Sequence, residues 1–116
     1  DAAHFELPEV SGTASVLYCA EDILVELELS SRSDVIVQVD FGEEVVFEGY
    51  RALRSGEHSL SVTGGRVELS HTGDRAYELM LTDRTESRLP LRMRVVSGDR
   101  LVFEETLPPG RGAPAR

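Results

Sequence analysis

Ile-Leu-Val-Glu-Leu-Glu-Leu at residues 23–29 and Val-Ile-Val-Gln-Val-Asp-Phe at residues 35–41 are the two runs that identify the fold class of this chain. In each run apolar residues recur at every second position, so an extended strand has one apolar face and one mixed face. Many of these residues are β-branched or aromatic, which favours a pleated sheet. The polar cluster at 30–34 between them predicts a turn, so we expect two separate, paired strands. Such a pair is marginally stable alone and needs a second apolar layer from the rest of the chain.

Short alternating runs continue on both sides of this unit. Gly64-Gly65 predicts a tight hairpin turn, with Leu60 and Val62 of the preceding strand directed inward. Gly73 lies in another predicted turn, and we expect residues 50–54 to be extended rather than helical. Further candidate strands lie at 4–10, where Pro8 favours a sheet edge, and at 14–19, 45–47, 58–62, 66–70, 76–81, 89–96 and 101–105.

The number and spacing of these runs predict an all-β fold. Roughly eight to ten short strands without a helical period are typical of an antiparallel sandwich or barrel. We predict an antiparallel β-sandwich, immunoglobulin-like or jelly-roll-like, formed by a single domain over residues 1–106. Residues 107–116 are rich in proline and glycine and are expected to form a flexible tail.

The register of the last hairpin can be argued from the parity of its residues. A two-residue loop pairs Val96 with Leu101, whereas a three-residue loop pairs Val95 with Leu101 and brings Arg92 opposite Glu104. The second register keeps one face of the hairpin apolar, and its loop contains the glycine that three-residue hairpins favour. We therefore predict the three-residue loop.

Composition and charge exclude several classes of function. The chain has 116 residues, enough for one core without a metal or a disulfide, and its net charge of −9 argues against nucleic-acid binding. No run of about 18 apolar residues exists, so we expect no membrane insertion by this segment. The one cysteine, Cys19, cannot form an intramolecular disulfide. The first residue is Asp, from which we expect a chain cut from something longer, with an anchor or signal upstream.

Motifs that carry catalysis are missing from the sequence. The histidines at 4, 58 and 71 have no metal-ligand spacing, although His58 and His71 flank the predicted hairpin and could approach each other. No nucleophile elbow, phosphate-cradling glycine loop or calcium-loop pattern is present. We therefore predict no enzymatic activity, no metal and no cofactor. A deep pocket lined by both histidines and by carboxylates would revive the enzyme hypothesis.

The candidate partner-binding residues are four arginines and one tyrosine. Arg88, Arg92 and Arg94 share one strand face, Arg84 lies just before them, and Tyr50 is predicted to be exposed in a loop. One interpretation is cross-strand pairing of the arginines with Glu-rich neighbours such as Glu104, each pair contributing little stability. The other is a docking strip for an acidic protein or an anionic polymer.

The segment 35–69 resembles the periplasmic C-terminal domain of RodZ-like bacterial cell-shape proteins. Elements that carry the resemblance are Val37–Asp40, Val46-Phe47-Glu48-Gly49, Leu53, Gly56-Glu57, Arg66-Val67-Glu68-Leu69 and Gly73. An immunoglobulin-like module of the flagellar-hook-cap type is similar in the segment 56–62.

The resemblance implies a non-catalytic β domain outside the cytoplasmic membrane, periplasmic or extracellular and tethered through an upstream span. Its partners would be envelope proteins of cell shape or cell division. The alternative function is a subunit or accessory domain of a pilus or adhesin that recruits a partner through an exposed edge strand.

Overall fold

The computed structural model describes residues 2–6, 10–54, 58–85 and 91–107, and the regular structure in these ranges is β-strand. The strands pair antiparallel within one continuous eight-stranded sheet. The predicted all-β antiparallel class is therefore confirmed, and the immunoglobulin-like or jelly-roll-like topology stays a prediction. The strands are β1 (Ala2–Glu6), β2 (Val10–Cys19), β3 (Asp22–Asp40), β4 (Val46–Ala52), β5 (His58–Thr63), β6 (Arg66–Thr82), β7 (Leu91–Ser97) and β8 (Arg100–Leu107).

The polar cluster at 30–34 does not end a strand, contrary to the sequence prediction. β3 runs through it, and β6 runs through the predicted turn at Gly73. The two interruptions face each other, because Ser31 pairs with Gly73 and Val35 pairs with His71. Three residues of β3 thus lie opposite one residue of β6, which is a bulge of two extra residues. Since two is an even number, the apolar side chains stay on one face on both sides of the bulge.

Side chains at the bulge explain why a cluster with turn composition can lie within a strand. The Ser30 hydroxyl donates a hydrogen bond to Asp74 at 2.6 Å, and the Thr72 hydroxyl donates to the Asp34 carboxylate. Both bonds join β3 to β6. Serine, threonine and aspartate favour turns because they bond to nearby backbone, as the Ser31 hydroxyl does to the Ser33 carbonyl at 3.0 Å. Ser30 and Asp34 instead bond to the neighbouring strand.

The long β3–β6 ribbon cannot be straight. β3 ends at Asp40 opposite Arg66, and β4 begins at Val46 opposite Thr82. Arg66 and Thr82 would be about 53 Å apart in a straight strand at about 3.3 Å per residue. The chain from Asp40 to Val46 can span only about 22 Å. The ribbon must therefore bend, in agreement with a longest molecular extent of 37 Å.

The bend divides the sheet into two halves that share β3 and β6. The first half has the order β1-β2-β3-β6-β4, and the second has the order β8-β7-β3-β6-β5. Their inward faces form one apolar cluster, β2 reaches β8, and the sheet is nearly barrel-shaped. Val37 and Val39 are fully buried, as their parity predicts. The largest buried side chains are Tyr18, Leu27, Leu69, Tyr77, Leu79, Leu81, Leu91, Met93 and Leu107.

The last hairpin has a two-residue loop, so the predicted three-residue register is wrong. Val96 pairs with Leu101 beside the loop, and a bulge on β8 then pairs Val95 with Phe103. The extra residue of the bulge shifts the register by one position, so apolar side chains of β7 and β8 again face each other. The predicted three-residue loop would have produced the same shift. Parity alone could not distinguish a longer loop from a bulge one residue farther along the strand.

The remaining predictions concern single positions or short segments. The Gly64-Gly65 turn is confirmed, with both residues at positive φ. Of the predicted extended residues 50–54, residues 50–52 belong to β4, whereas 53–54 form a bend after it. Val62, predicted to be inward, is 42% exposed because β5 lies at a sheet edge, whereas Leu60 is half-buried against the core. Leu107, assigned to the tail, is buried and ends β8. Pro8 and residues 108–116 lie outside the described residues.

Candidate functional site: the arginine face

Alternation along β3, β6 and β7 places charged side chains on the outer face of the second half of the sheet. Because the flanking valines of β3 are buried, Gln38 and Asp40 point outward. Asp40 faces Arg66 of β6 on one side and Arg92 of β7 on the other. Gln38 lies in the next row of the same face. We call this surface the arginine face; it consists of Gln38, Asp40, Arg66, Glu68, Arg92, Arg94 and Glu104.

Hydrogen bonds and ion pairs link four strands across this face. Arg66 Nε and Nη2 donate to the two oxygens of Asp40 at 2.6 and 3.4 Å. Arg94 Nη1 lies 3.7 Å from the same carboxylate, and Arg94 Nε donates to Glu104 at 2.6 Å. The hydrogen bond to Asp40 raises the pKa of Arg66 above its ordinary value. The guanidinium groups of Arg66 and Arg94 are thus held in fixed positions on the sheet.

Arg92 differs from the other two arginines of the face. Its side chain is exposed, and among the described residues it makes no ion pair. It stands beside Asp40, whose carboxylate already binds Arg66 and Arg94. The three arginines balance the three carboxylates of the face, in a chain whose net charge is −9. The face is therefore a region where an acidic molecule meets less repulsion than elsewhere.

The structure brings together some of the sequence-predicted arginines and separates others. Arg92 and Arg94 share the arginine face, but Arg84 lies in the turn after β6 and Arg88 lies outside the described residues. Glu104 does form an ion pair with an arginine of β7, as predicted, but the partner is Arg94 rather than Arg92. This change of partner follows from the bulge on β8.

Sequence reasoning missed Arg66 and Asp40. Each lies at one of the alternate positions of its strand whose side chains point outward, and this alternation is the only signal for these residues in the sequence. Their proximity depends on the pairing of β3 with β6 across 26 positions of the chain, which periodicity does not reveal.

Tyr50 lies within β4 rather than in a loop, so its predicted location is wrong. Its ring is 39% exposed, and its hydroxyl lies 3.2 Å from His58 Nε2 of β5. His58 makes edge contacts with Tyr50 and with the buried Tyr77, at centroid distances of 5.9 and 5.6 Å. Burial raises the pKa of the Tyr77 hydroxyl. The contact between Tyr50 and His58 joins the edge strand β4 to the edge strand β5.

The predicted approach of His58 and His71 is confirmed at the backbone, where the two residues pair across the β5–β6 hairpin. The His71 side chain lies outside the described part of the structure. Within the part that is described, no three His, Cys, Asp or Glu side chains come together in a way that could hold a metal ion. No helix in the same ranges has the length and apolar character needed to cross a membrane.

A surface depression of about 890 Å³ lies beside the β3–β6 bulge. His58 and Asp34 contribute to its lining, with Ile36 and Val96 as its apolar part. Asp34 accepts a hydrogen bond from Thr72, and His58 contacts the Tyr50 hydroxyl. Both polar groups therefore take part in cross-strand contacts that stabilise the rim.

Comparisons with known proteins leave the family open. No protein-family model matches the chain, and no curated protein matches its sequence. The RodZ-like resemblance therefore rests on the quoted residues of β3, β4 and β6 and stays a prediction.

Proposed function

We propose that this chain is a non-catalytic protein-interaction or scaffolding domain of a bacterial cell envelope, acting outside the cytoplasm in cell shape or cell division. Its arginine face docks an acidic protein partner. The observation that carries this proposal is Arg92, an exposed guanidinium beside two others that are already fixed by Asp40 and Glu104. A planar guanidinium on a rigid sheet can form bidentate hydrogen bonds with a partner carboxylate.

The RodZ-like resemblance supports the envelope location and the non-catalytic role. In that reading, the domain is held outside the cytoplasmic membrane by a span encoded upstream. A gene that encodes a transmembrane helix upstream of this segment would support the proposal.

A charge reversal at Arg92 tests the docking face. We expect wild-type protein immobilised on a resin to retain an acidic partner from a bacterial envelope extract, and the Arg92→Glu variant to lose it. The control is Arg32→Glu, which makes the same change in charge at an exposed residue of the β3 bulge. Arg32→Glu should retain the partner, and added salt should weaken retention because the contact is electrostatic. Equal retention by all three proteins would remove the arginine face from the proposal.

The second candidate function is a subunit or accessory domain of a secreted surface assembly such as a pilus or an adhesin. It is favoured by the edge strand β5, which pairs with β6 alone among the described strands and exposes Val62. An edge strand of this kind can accept a strand from another chain. Size-exclusion chromatography over a range of concentrations separates the two functions, since the assembly subunit associates with itself.

A further inference from the structure

We propose that two copies of this chain pair through β5, antiparallel to each other, about a two-fold axis that passes at Leu60. This inference rests on the second candidate function and names the surface and the partner. The partner is a second copy of the same chain.

β5 is the edge strand that lacks the usual protection against pairing. Natural sheets protect their edges with charged side chains, prolines or bulges. Among the described edge strands, β1 contains Glu6, β4 contains Glu48 and Arg51, and β8 contains several charged residues. β4 and β8 also carry bulges. The six residues of β5, His-Ser-Leu-Ser-Val-Thr, include no acidic residue, no arginine and no proline, and their pairing with β6 is regular.

The hairpin geometry determines which backbone groups of β5 face outward. Gly64 and Gly65 form a two-residue loop, and the residues that flank such a loop, Thr63 and Arg66, form a hydrogen-bonded pair. Alternate residues of an antiparallel strand direct their backbone groups to opposite edges. The N–H and C=O groups of Leu60 and Val62 therefore point away from β6. No backbone hydrogen bond to these two residues is found among the described turns and loops.

A second copy fits this edge because the edge is complementary to itself. With Leu60 on the axis, Ser61 faces Ser59 of the second copy and Val62 faces His58 of the second copy. No aspartate, glutamate or arginine of β5 is thus brought opposite another residue of β5. Because each chain has a net charge of −9, an edge without carboxylates is favourable for pairing, since it adds no direct contact between like charges.

We expect the dimer to be weak, and we expect added salt to strengthen it rather than weaken it. One added strand pair buries less than the roughly 1,200 Å² of a stable interface, so we expect a Kd on the order of 0.1 to 1 mM. Added salt should strengthen the dimer, since it screens the repulsion between two acidic molecules. A basic partner strand at the same edge would show weaker binding in high salt.

Sedimentation measurements from about 10 µM to about 1 mM protein, at low and high salt, test the inference over the range of this expected affinity. The key variant is Val62→Pro, which removes an outward N–H and leaves the ladder to β6 intact. The control is Val62→Thr, which retains that N–H and suits a strand. Wild type and Val62→Thr should dimerise, and Val62→Pro should remain monomeric over the same range. Amide exchange of wild type should slow at Leu60 and Val62 as concentration rises, which locates the contact even if Val62→Pro fails to fold.

Each failure has a different meaning. Dimerisation without slower exchange at Leu60 and Val62 overturns the β5 pairing but leaves the assembly function standing. A monomer at every concentration and salt overturns both. Neither result affects the arginine face, whose partner is measured by retention on the resin.

Discussion

Gly65, in the turn between β5 and β6, packs so closely against the backbone of Gly42 that it leaves no room for a side chain. Its φ is +78°, and a Cβ added there would lie 2.6 Å from the carbonyl carbon of Gly42 and 2.7 Å from its oxygen. The Phe41 N–H also donates to the Gly65 carbonyl at 2.8 Å. The hairpin turn and the link that leads to β4 are therefore packed backbone against backbone.

We predict that Gly65→Ala destabilises the protein more than Gly64→Ala. Both positions have positive φ, which costs an alanine about 1–2 kcal/mol. Only Gly65 adds the overlap with Gly42, which we expect to cost about 1–3 kcal/mol more. Gly64 is the matched control, since nothing lies within 4 Å of an added Cβ. Urea unfolding of both variants measures the difference, and equal midpoints would show that the contact with Gly42 is not tight.

Tyr77 provides a prediction about alkaline pH. Burial, the largest cause, raises the pKa of its hydroxyl above the ordinary value of 10.0, while the charge of Arg75 lowers it by a smaller amount. The unfolded chain therefore releases this proton at a lower pH than the folded protein does. The contribution of the Tyr77 hydroxyl to the free energy of unfolding is therefore fully present below about pH 10, and it is lost as the pH rises through the pKa of Tyr77 in the folded protein.

The measurement is the free energy of unfolding between pH 8 and pH 11. Tyr77→Phe should lose less stability than wild type over this range, because it has no proton to release at position 77. Tyr50→Phe is the comparison, because the charge of Tyr50 is the smallest of the causes that shift the pKa of Tyr77, and this variant should retain most of the alkaline loss. If Tyr77→Phe follows the wild-type curve, the alkaline loss has another origin.

At the scale of elements, the β3–β6 bulge is the feature that shapes the sheet. It inserts two extra residues into β3 between the part of the ribbon that lies beside β4 and the part that lies beside β5, and we infer that the ribbon bends there. Bulges commonly bend strands at the corners of closed sheets. Without the bulge, β3 and β6 would continue as a straight pair, and the short link after Asp40 could not reach the start of β4.

We predict that deletion of Ser33 and Asp34 prevents the native fold. The deletion keeps the parity of β3, so the apolar face is preserved and only the bend is lost. Substitution of both residues by alanine keeps the chain length and removes the hydrogen bond between Thr72 and Asp34, at an expected cost of about 1–3 kcal/mol. Circular dichroism in the near and far ultraviolet, followed during heating, compares the two variants. A deletion variant with a native spectrum and a cooperative transition would contradict the prediction.

At the scale of the whole molecule, the two halves of the sheet form one core. β3 and β6 belong to both halves, and the buried cluster includes Val25 and Leu27 from one half and Val37 and Met93 from the other. Neither half can be removed without exposing the apolar face of the other. The protein should therefore unfold as a single cooperative unit.

The predicted result is one transition in urea, with the same midpoint by tyrosine fluorescence and by far-ultraviolet circular dichroism. The tyrosines at 18 and 77 report on the first half, whereas circular dichroism reports on all strands. Two separate midpoints would mean that the halves unfold independently. Protein concentration should be kept low so that pairing through β5 does not contribute.

The alternation of residues was sufficient to predict the all-β class and the inward valines of β3, and the glycine pair was sufficient to predict the turn at Gly64-Gly65, because these features depend on neighbours within a few positions. It also placed Arg92 and Arg94 on one face of β7. The continuity of β3 and β6, the β8 bulge and the partners of Arg94 were decided only by the tertiary structure. Each depends on which distant segment completes the hydrogen bonds of a strand, and a polar cluster that forms a turn in isolation becomes part of a sheet once that segment lies beside it.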